Sequence, residues 1–225
     1  MFISGFPAGS FQANCYVIAA ERGGEALVVD PGQDAAERLA SVLAENDLRP
    51  AAVLLTHGHL DHIASAAQVC AAGNLPAYLH GADDHLLDDP LAGLSAQLGT
   101  ALSGLDLTGL RPDTVIGLTE VAELTLADLV LQVDHTPGHT GGSVVFRLAA
   151  QDGRPDVLLT GDTLFAGSVG RTDLPGGSSE ELMRSIAEHL LVRGDDAVVL
   201  PGHGPTSTIG AERIGNPFLA GSGSR

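Results

Sequence analysis

The stretch Thr56-His57-Gly58-His59-Leu60-Asp61-His62 decides how the rest of this chain is interpreted. It places three imidazoles and a carboxylate within six residues, directly after the apolar run Ala51–Leu55. Neutral imidazole is the commonest metal ligand in proteins, and a carboxylate adds an anionic oxygen beside it. Surface histidines at this spacing would repel one another whenever they were protonated. The stretch therefore predicts a metal or catalytic site at the end of a buried strand.

Three later segments place a histidine or an aspartate where an apolar run meets a turn rich in glycine or proline. They contain Pro137-Gly138-His139-Thr140, Thr160-Gly161-Asp162 and Pro201-Gly202-His203-Gly204. Rigid scaffolds commonly hold binding groups on such loops. Each of these residues alone is more typical of a turn than of a ligand. Together with the first cluster, they predict a single site that all of these segments share.

This set of motifs resembles the metallo-β-lactamase-fold hydrolases, from Asn14-Cys15-Tyr16 to Asn216-Pro217-Phe218-Leu219. Within that superfamily the chain is most similar to the glyoxalase II-like hydroxyacylglutathione hydrolases, in their short bacterial form. The narrower likeness rests on Gly170-Arg171-Thr172-Asp173 and on Pro201-Gly202-His203-Gly204-Pro205. The resemblance implies an α/β fold of four layers in the order αββα. It also implies a metal-dependent hydrolase.

The resemblance implies a dinuclear metal centre with an open position for substrate. It implies His57, His59 and His139 as ligands of the first metal. It implies Asp61, His62 and His203 as ligands of the second, with Asp162 as the bridge between them. We expect two divalent transition metals, with zinc favoured and iron or manganese compatible with the same donors. The implied reaction is attack by a metal-bridging hydroxide on a thioester such as S-lactoylglutathione. Asp61 would be the catalytic group that orients the hydroxide or moves a proton.

Two other functions remain open at this point. The first is a persulfide dioxygenase with a single non-haem iron, for which His57, His139 and Asp162 would suffice. The second is a non-catalytic metal-binding protein on the same scaffold. The full ligand set favours catalysis, because a binding module does not need an open dinuclear centre. Hydrolysis of β-lactams would rest on the fold alone, and a fold does not fix a function.

Two residues beside these motifs have two interpretations each. Asp30, in Val28-Val29-Asp30-Pro31-Gly32, either accepts the free N–H of a ligand histidine or only begins a turn. Arg171 either contacts an anionic group of the substrate or forms an ion pair with Asp173. We take Arg171 as the candidate substrate-binding residue. The long glyoxalase II enzymes bind glutathione with a basic helical extension, which we do not expect in this chain.

The net charge of the chain limits the kinds of molecule that it can bind. The chain has 28 acidic and 11 basic residues, all of the latter arginine, and its net charge is −17. Recognition of nucleic acid needs a basic face, so a nucleic-acid partner is disfavoured. The absence of lysine excludes Schiff-base catalysis and the lysine of a phosphate-binding loop. The acidic pairs Asp83-Asp84 and Asp88-Asp89 are interpreted as solvated surface. We therefore expect a small-molecule thioester as partner.

Length and hydropathy predict one large domain over residues 1–219 and a flexible tail over 220–225. No apolar stretch approaches the length of a membrane span, and the first residues do not resemble a signal peptide. We therefore expect a cytoplasmic protein without membrane contact. Cys15 and Cys70 are expected to be buried as small apolar residues, since two cysteines make no disulfide framework.

Periodicity predicts strands that alternate with helices along most of the chain. The predicted helices cover residues 34–46, 62–71 and 178–191, and the last of them begins with Ser178 as an N-terminal cap. Predicted strands include 26–30 and 51–56 before the first ligands, and 129–133, 156–160 and 197–200 around the later ones. The segment 81–110 is expected to form helices and loops that wall the site.

Overall fold

Two six-stranded sheets occupy the centre of the computed structural model, which describes residues 1–102, 104, 107–119, 121–151 and 153–219. The flexible tail predicted over 220–225 lies outside these residues. In the part of the chain that is described, no helix is long and apolar enough to cross a bilayer.

The first sheet contains the first six strands in chain order. They are β1 Phe2–Ala8, β2 Ala13–Ala19, β3 Glu25–Val29, β4 Arg49–Leu54, β5 Ala77–His80 and β6 Val115–Leu118. The strands from β3 to β6 run parallel, while β1 and β2 pair antiparallel with their neighbours. The carboxyl ends of parallel strands lie at one edge of a sheet, where open α/β sheets bind their ligands. The loops after β3, β4 and β5 therefore meet at that edge.

The second sheet has the order β14-β13-β10-β9-β8-β7. Its strands are β7 Val121–Leu126, β8 Leu129–His135, β9 Val144–Leu148, β10 Val157–Gly161, β13 Val198–Pro201 and β14 Ser207–Thr208. Only the pair of β10 and β13 is parallel among the pairs of this sheet that the structure describes. A short separate hairpin joins β11 Leu164–Phe165 to β12 Ser168–Val169.

Six α-helices connect or follow these strands within the described residues. They are α1 Ala35–Glu45, α2 Leu60–Ile63, α3 Ala66–Gly73, α4 Ala96–Leu102, α5 Ser179–Ser185 and α6 Ile209–Gly215. Two 3₁₀ helices, Gly81–Leu87 and Pro90–Gly93, precede α4, and a π-helical turn, Ile186–Leu190, continues α5. Ser178 caps α5 as predicted, because its hydroxyl accepts a bond of 3.3 Å from the Glu181 amide. The helix predicted over 178–191 is thus confirmed in position.

Side chains along β2 point alternately to the two faces of the first sheet, and each face packs against a different layer. Cys15 and Val17 pack with the helices on the outer face of the first sheet. Tyr16 and Ile18 pack between the two sheets. Successive strand residues point to opposite faces, so a strand buried on both faces becomes an uninterrupted apolar run. All seven residues of β2 are buried accordingly.

The helices form the two outer layers. Leu39 of α1 and Val69 of α3 pack against the first sheet, and Leu182 of α5 and Ile209 of α6 pack against the second. The order αββα predicted for the layers is therefore confirmed. The predicted burial of both cysteines is confirmed as well, and both are free thiols.

The single helix predicted over residues 62–71 is wrong in its start and in its continuity. Helix α2 begins at Leu60, inside the ligand stretch, and a break at Ala64 and Ser65 separates it from α3. The Ser65 amide donates to the Pro31 carbonyl at 2.9 Å, and its hydroxyl donates to the Gly32 carbonyl at 2.6 Å. These bonds replace the helical partner of that amide and tie the break to the loop after β3.

Candidate metal centre

All seven predicted ligands meet at one edge of the fold. The loop after β4 carries His57 and His59. The loop after β10 carries Asp162, and the loop after β13 carries His203. Helix α2 carries Asp61 and His62, and the loop between β8 and β9 carries His139. The sequence interpretation of these segments as one shared site therefore agrees with their positions.

Three imidazoles form the first group of potential ligands. His59 Nδ1 lies 2.9 Å from His139 Nε2, and the ring centroids of His57 and His139 are 4.8 Å apart. One ligand atom from each ring lies within 4.8 Å of the others, which is close enough for a shared metal ion. All three residues are buried.

Asp61, His62 and His203 form the second group. His203 Nε2 lies 3.1 Å from Asp61 Oδ2, and His62 Nε2 lies 3.3 Å from His203 Nε2. Their ligand atoms also fall within 4.8 Å of one another. Asp61 and His203 remain partly exposed, so this group is more open to solvent than the first.

The carboxylate of Asp162 lies between the two groups. Its Oδ2 is 3.5 Å from His139 Nε2 and 3.6 Å from His203 Nε2, and its Oδ1 is 3.4 Å from His62 Nε2. A Cβ at Gly202 would lie 2.2 Å from Asp162 Oδ1. The Pro-Gly-His motif therefore needs its glycine so that the last histidine loop can approach this carboxylate.

Asp30 fixes the orientation of two of these imidazoles. Its Oδ2 accepts hydrogen bonds from His62 Nδ1 at 3.0 Å and from the Thr56 hydroxyl at 2.6 Å. Because that hydroxyl gives its only proton to Asp30, it accepts from His57 Nδ1 at 3.1 Å. Both rings are thereby left with the Nε2 lone pair facing the site. Asp30 also turns the chain, with φ at 49°, so it contacts a candidate ligand histidine in addition to forming a turn.

His139 is oriented in the same way by backbone. Its Nδ1 donates to the carbonyl oxygen of Arg171 at 2.8 Å, which leaves its Nε2 as an acceptor that faces Asp162 and His59. Partners on the far nitrogen are what fix the tautomer and direction of metal-binding histidines. The sequence singled out Arg171 for its side chain, but the backbone carbonyl of this residue also serves the site.

Unsatisfied buried atoms test whether a metal fits here. His57 Nε2, His59 Nε2 and Asp162 Oδ1 have no hydrogen-bond partner among the described residues. A buried polar atom without a partner costs roughly 1–3 kcal/mol. Lone pairs of imidazole and carboxylate that converge without donors suit divalent cations, so the donor set fits a metal centre.

Electrostatics keep two imidazoles of the first group, those of His57 and His59, neutral. Burial lowers the pKa of His57 well below its usual value, and the neighbouring imidazoles of His62 and His139 lower it further. Burial, followed by the charge of His139, lowers the pKa of His59 to about 4. Neutral imidazole is the form that binds metals. These two imidazoles could therefore bind a metal at neutral pH without losing a proton.

In the second group, neighbouring carboxylates raise the pKa of a histidine instead of leaving it lowered. Burial alone would lower the pKa of His62, but Asp61 and Asp162 more than offset this and raise it well above its usual value. Burial alone would raise the pKa of Asp61, but His62 and the hydrogen bond with His203 bring it below its usual value. Asp61 is consequently an anion at neutral pH, and its carboxylate can accept hydrogen bonds.

Asp83 corrects the interpretation of the acidic pairs as solvated surface. Its side chain is only 2 % exposed, and it accepts bonds from the amides of Gly58 at 2.9 Å and Gly142 at 2.8 Å. It also accepts from the Thr140 hydroxyl at 2.7 Å. Gly58 separates two candidate ligand histidines, and Thr140 follows a third. Asp83 thus joins two ligand loops, because it lies just beyond the carboxyl end of β5 at the same sheet edge.

We expect the Asp83→Asn variant to be less stable and to bind metal more weakly. The amide nitrogen would face at least one backbone donor, and each lost bond to a charged group is worth about 1.5–3 kcal/mol. Chemical denaturation with and without metal measures the free energy of unfolding. Asp89→Asn is the matched control, since Asp89 is exposed in the same segment. Equal stabilities of the two variants would remove Asp83 from this role.

Arg171 forms the ion pair that the sequence left open. Its Nε and Nη2 donate to the two carboxylate oxygens of Asp173, each at 2.8 Å. Both side chains are more than half exposed, at 55 % and 69 %. The side chain of Arg171 also lines the cavity that leads to the ligands. Its contact with substrate stays a prediction.

An αββα sandwich with a histidine and aspartate cluster at one sheet edge is the architecture of metallo-β-lactamase-fold proteins. The family model described as the metallo-beta-lactamase superfamily matches residues 8–203, and the chain belongs to this superfamily.

Similar proteins match this chain along nearly their whole length. An uncharacterized protein of Mycobacterium tuberculosis is 50 % identical over 98 % of this chain and 99 % of its own. The hydroxyacylglutathione hydrolase GloC of Haemophilus influenzae is 36 % identical over 97 % of this chain and 98 % of its own.

Solved structures show the same fold. TTHA1623, in a di-iron-bound form, has a TM-score of 0.80 and 36 % identity, and the match covers 96 % of this chain and all of that one. ETHE1 from Myxococcus xanthus has a TM-score of 0.78 and 25 % identity, with 98 % of this chain and 85 % of that one covered.

Proposed function

We propose that this protein is a dinuclear metal-dependent hydrolase that cleaves thioesters such as S-lactoylglutathione, in the manner of glyoxalase II. The observation that carries the proposal is the position of Asp162, which lies within 3.6 Å of imidazoles from both ligand groups. The full-length likeness to GloC, a hydroxyacylglutathione hydrolase by name, supports the substrate class. The net charge of −17 disfavours nucleic acid as a partner, and a small-molecule thioester is the substrate class that we propose.

The proposed centre holds its metals with His57, His59 and His139 on one side, with Asp61, His62 and His203 on the other, and with Asp162 between them. Zinc is the metal we expect, and iron or manganese would suit the same nitrogen and oxygen donors. The di-iron form of TTHA1623 supports a centre of two metals. Two metals here would supply a hydroxide nucleophile at neutral pH and polarise the substrate carbonyl.

The side chains around the centre have separate tasks in this reaction. Water adds to the carbonyl carbon, the C–S bond breaks, and a carboxylic acid and a thiol are released. Asp61 is anionic and partly exposed towards the cavity, so it can accept a hydrogen bond from the attacking water and orient it. Asp30, Thr56 and the Arg171 carbonyl hold the imidazoles in direction and tautomer.

An anaerobic assay tests this proposal. Protein reconstituted with zinc should hydrolyse S-lactoylglutathione without oxygen, because hydrolysis consumes only water. Elemental analysis should find close to two metal equivalents. Less than about half an equivalent after reconstitution would contradict the enzyme assignment itself.

A persulfide dioxygenase with one iron is the second candidate. Two imidazoles and a carboxylate suffice for such a site, and Asp162 Oδ2 lies 3.5 Å from His139 Nε2, with His57 beside them. Oxygen uptake with glutathione persulfide by the iron-loaded protein, together with no thioester cleavage, would move the assignment to this class.

Replacing Arg171 with alanine should affect anionic substrates selectively. If the guanidinium attracts the carboxylates of glutathione, the Michaelis constant for a glutathione thioester should rise about tenfold, or ~1.4 kcal/mol. An uncharged thioester with the same acyl group should be unaffected. Asp173→Asn offers the opposite change, since it releases the guanidinium and should lower that constant. Parallel responses of both substrates in both variants would exclude a substrate contact.

A further inference from the structure

Apolar side chains line a path that leads outward from the candidate metal centre. We call it the leucine groove and define it by Phe11, Leu60, Leu94, Leu98 and Leu102. Its inner cavity of about 210 Å³ includes ligand side chains from both groups in its wall. Its outer cavity of about 310 Å³ shares Phe11, Leu60, Asp61 and Leu102 with the inner one. The groove therefore adjoins the reacting atoms at one end.

The leucines of this groove are not explained by packing of the core. Leu94, Leu98 and Leu102 recur every fourth residue, so they lie on one face of α4 and of the turn before it. Among the described residues, the three apolar core clusters contain no member of α4. Leu98 and Leu102 remain half-buried, and Phe11, which lines the same cavity, is 43 % exposed. Their apolar faces surround space that leads to the centre.

The groove has little to offer a charged substrate group. Arg171 is the one arginine among the described residues that line either cavity, and Asp173 already binds its guanidinium. Asp61 contributes a negative charge at the junction of the two cavities. An apolar group gains free energy in proportion to the area that it buries, whereas the leucine and phenylalanine walls offer no donors to replace the water around an anion.

We propose that the leucine groove binds a linear aliphatic chain of the substrate, so that thioesters with a longer apolar chain are hydrolysed in preference to those with a short one. This inference rests on the proposed thioester hydrolysis. The chain can belong to the acyl group or to the thiol, and the chemistry of the contact is the same in both cases. Leu98 and Leu102 determine the preference for chain length.

Two series of thioesters test the preference with the zinc-loaded protein. The first keeps N-acetylcysteamine as the thiol and lengthens the acyl group from butyryl to octanoyl. The second keeps an acetyl group and lengthens an alkyl thiol. We expect kcat/KM to rise roughly fourfold for each methylene in one series, which corresponds to ~0.8 kcal/mol per buried methylene. The series that shows the rise identifies the part of the substrate in the groove.

Leu98→Gln and Leu102→Gln should flatten this dependence, while Ala96→Gln, at an exposed position on the opposite side of the same helix, should preserve it. The readout is the ratio of the rates with the longest and the shortest chain in the series that shows the rise, so a partly unfolded variant does not imitate the effect. Rates that are independent of chain length in both series would overturn the proposal. So would a chain-length dependence that survives in both leucine variants.

Binding without turnover separates this proposal from the proposed reaction. Calorimetry with S-alkyl thioethers of N-acetylcysteamine, which cannot be hydrolysed, should give a Kd that falls roughly fourfold per methylene. It should also give a negative heat-capacity change. Chain-dependent binding without hydrolysis of any thioester would keep the groove and reject the reaction. Hydrolysis of thioesters, together with binding that does not depend on chain length, would keep the reaction and reject the groove.

Discussion

The Asp162→Ala variant is expected to lose turnover and bound metal together while it keeps its fold. Its carboxylate lies within 3.6 Å of the imidazoles of His62, His139 and His203. Without it, two cations would face each other across neutral rings, with no anion between them. We expect kcat/KM to fall by more than about a hundredfold, beyond the effect of losing an outer partner of a ligand. His59→Ala should act in the same direction.

Elemental analysis and circular dichroism on the same sample test this prediction. The metal-free forms of Asp162→Ala and of the unsubstituted protein should give similar spectra, since Asp162 lies beyond the end of strand β10. Asp88→Ala removes an exposed carboxylate elsewhere and should retain both metal and activity. Full metal content and activity in Asp162→Ala would show that the ligand assignment is wrong.

The Asp30→Asn variant is expected to bind metal about 10–100-fold more weakly, as is typical when an outer partner of a ligand histidine is lost. The amide has nearly the shape of the carboxylate, but it cannot accept from His62 and from both donors of Thr56 at once. The orientation of the imidazoles of His57 and His62 would then no longer be fixed. Competition with a chromophoric chelator measures the change in affinity.

Asp34→Asn is a close control for this substitution. Asp34 and Asp30 both have positive φ, at 58° and 49°, and asparagine tolerates that conformation. The backbone effect of the substitution is therefore similar at the two positions, while Asp34 is exposed and outside the site. A loss of affinity confined to Asp30→Asn would assign it to the contacts of the carboxylate. Equal affinities in both variants would mean that Asp30 only forms a turn.

The sequence by itself determined the features that local pattern encodes. Apolar runs of strand length predicted the buried strands, and Ser178 predicted the beginning of α5. His57, His59, Asp61 and His62 are neighbours in sequence, so their convergence followed from their spacing. The later ligands could be placed with them because each follows an apolar run at a turn. Periodicity did not reveal strand β1 or helix α6, nor the break at Ser65.

Only the tertiary structure decided which distant residues support the centre. Asp83 contacts Gly58 across 25 residues and Thr140 across 57, and neither separation leaves a local signal. The same acidic residue is typical of a solvated surface when the sequence is considered alone. The sequence left open whether Arg171 contacts the substrate or Asp173, and the structure shows the ion pair with Asp173. Phe11 and the leucines of α4 became one groove because chain topology brings separate segments together, whereas sequence patterns report only neighbours within a few residues.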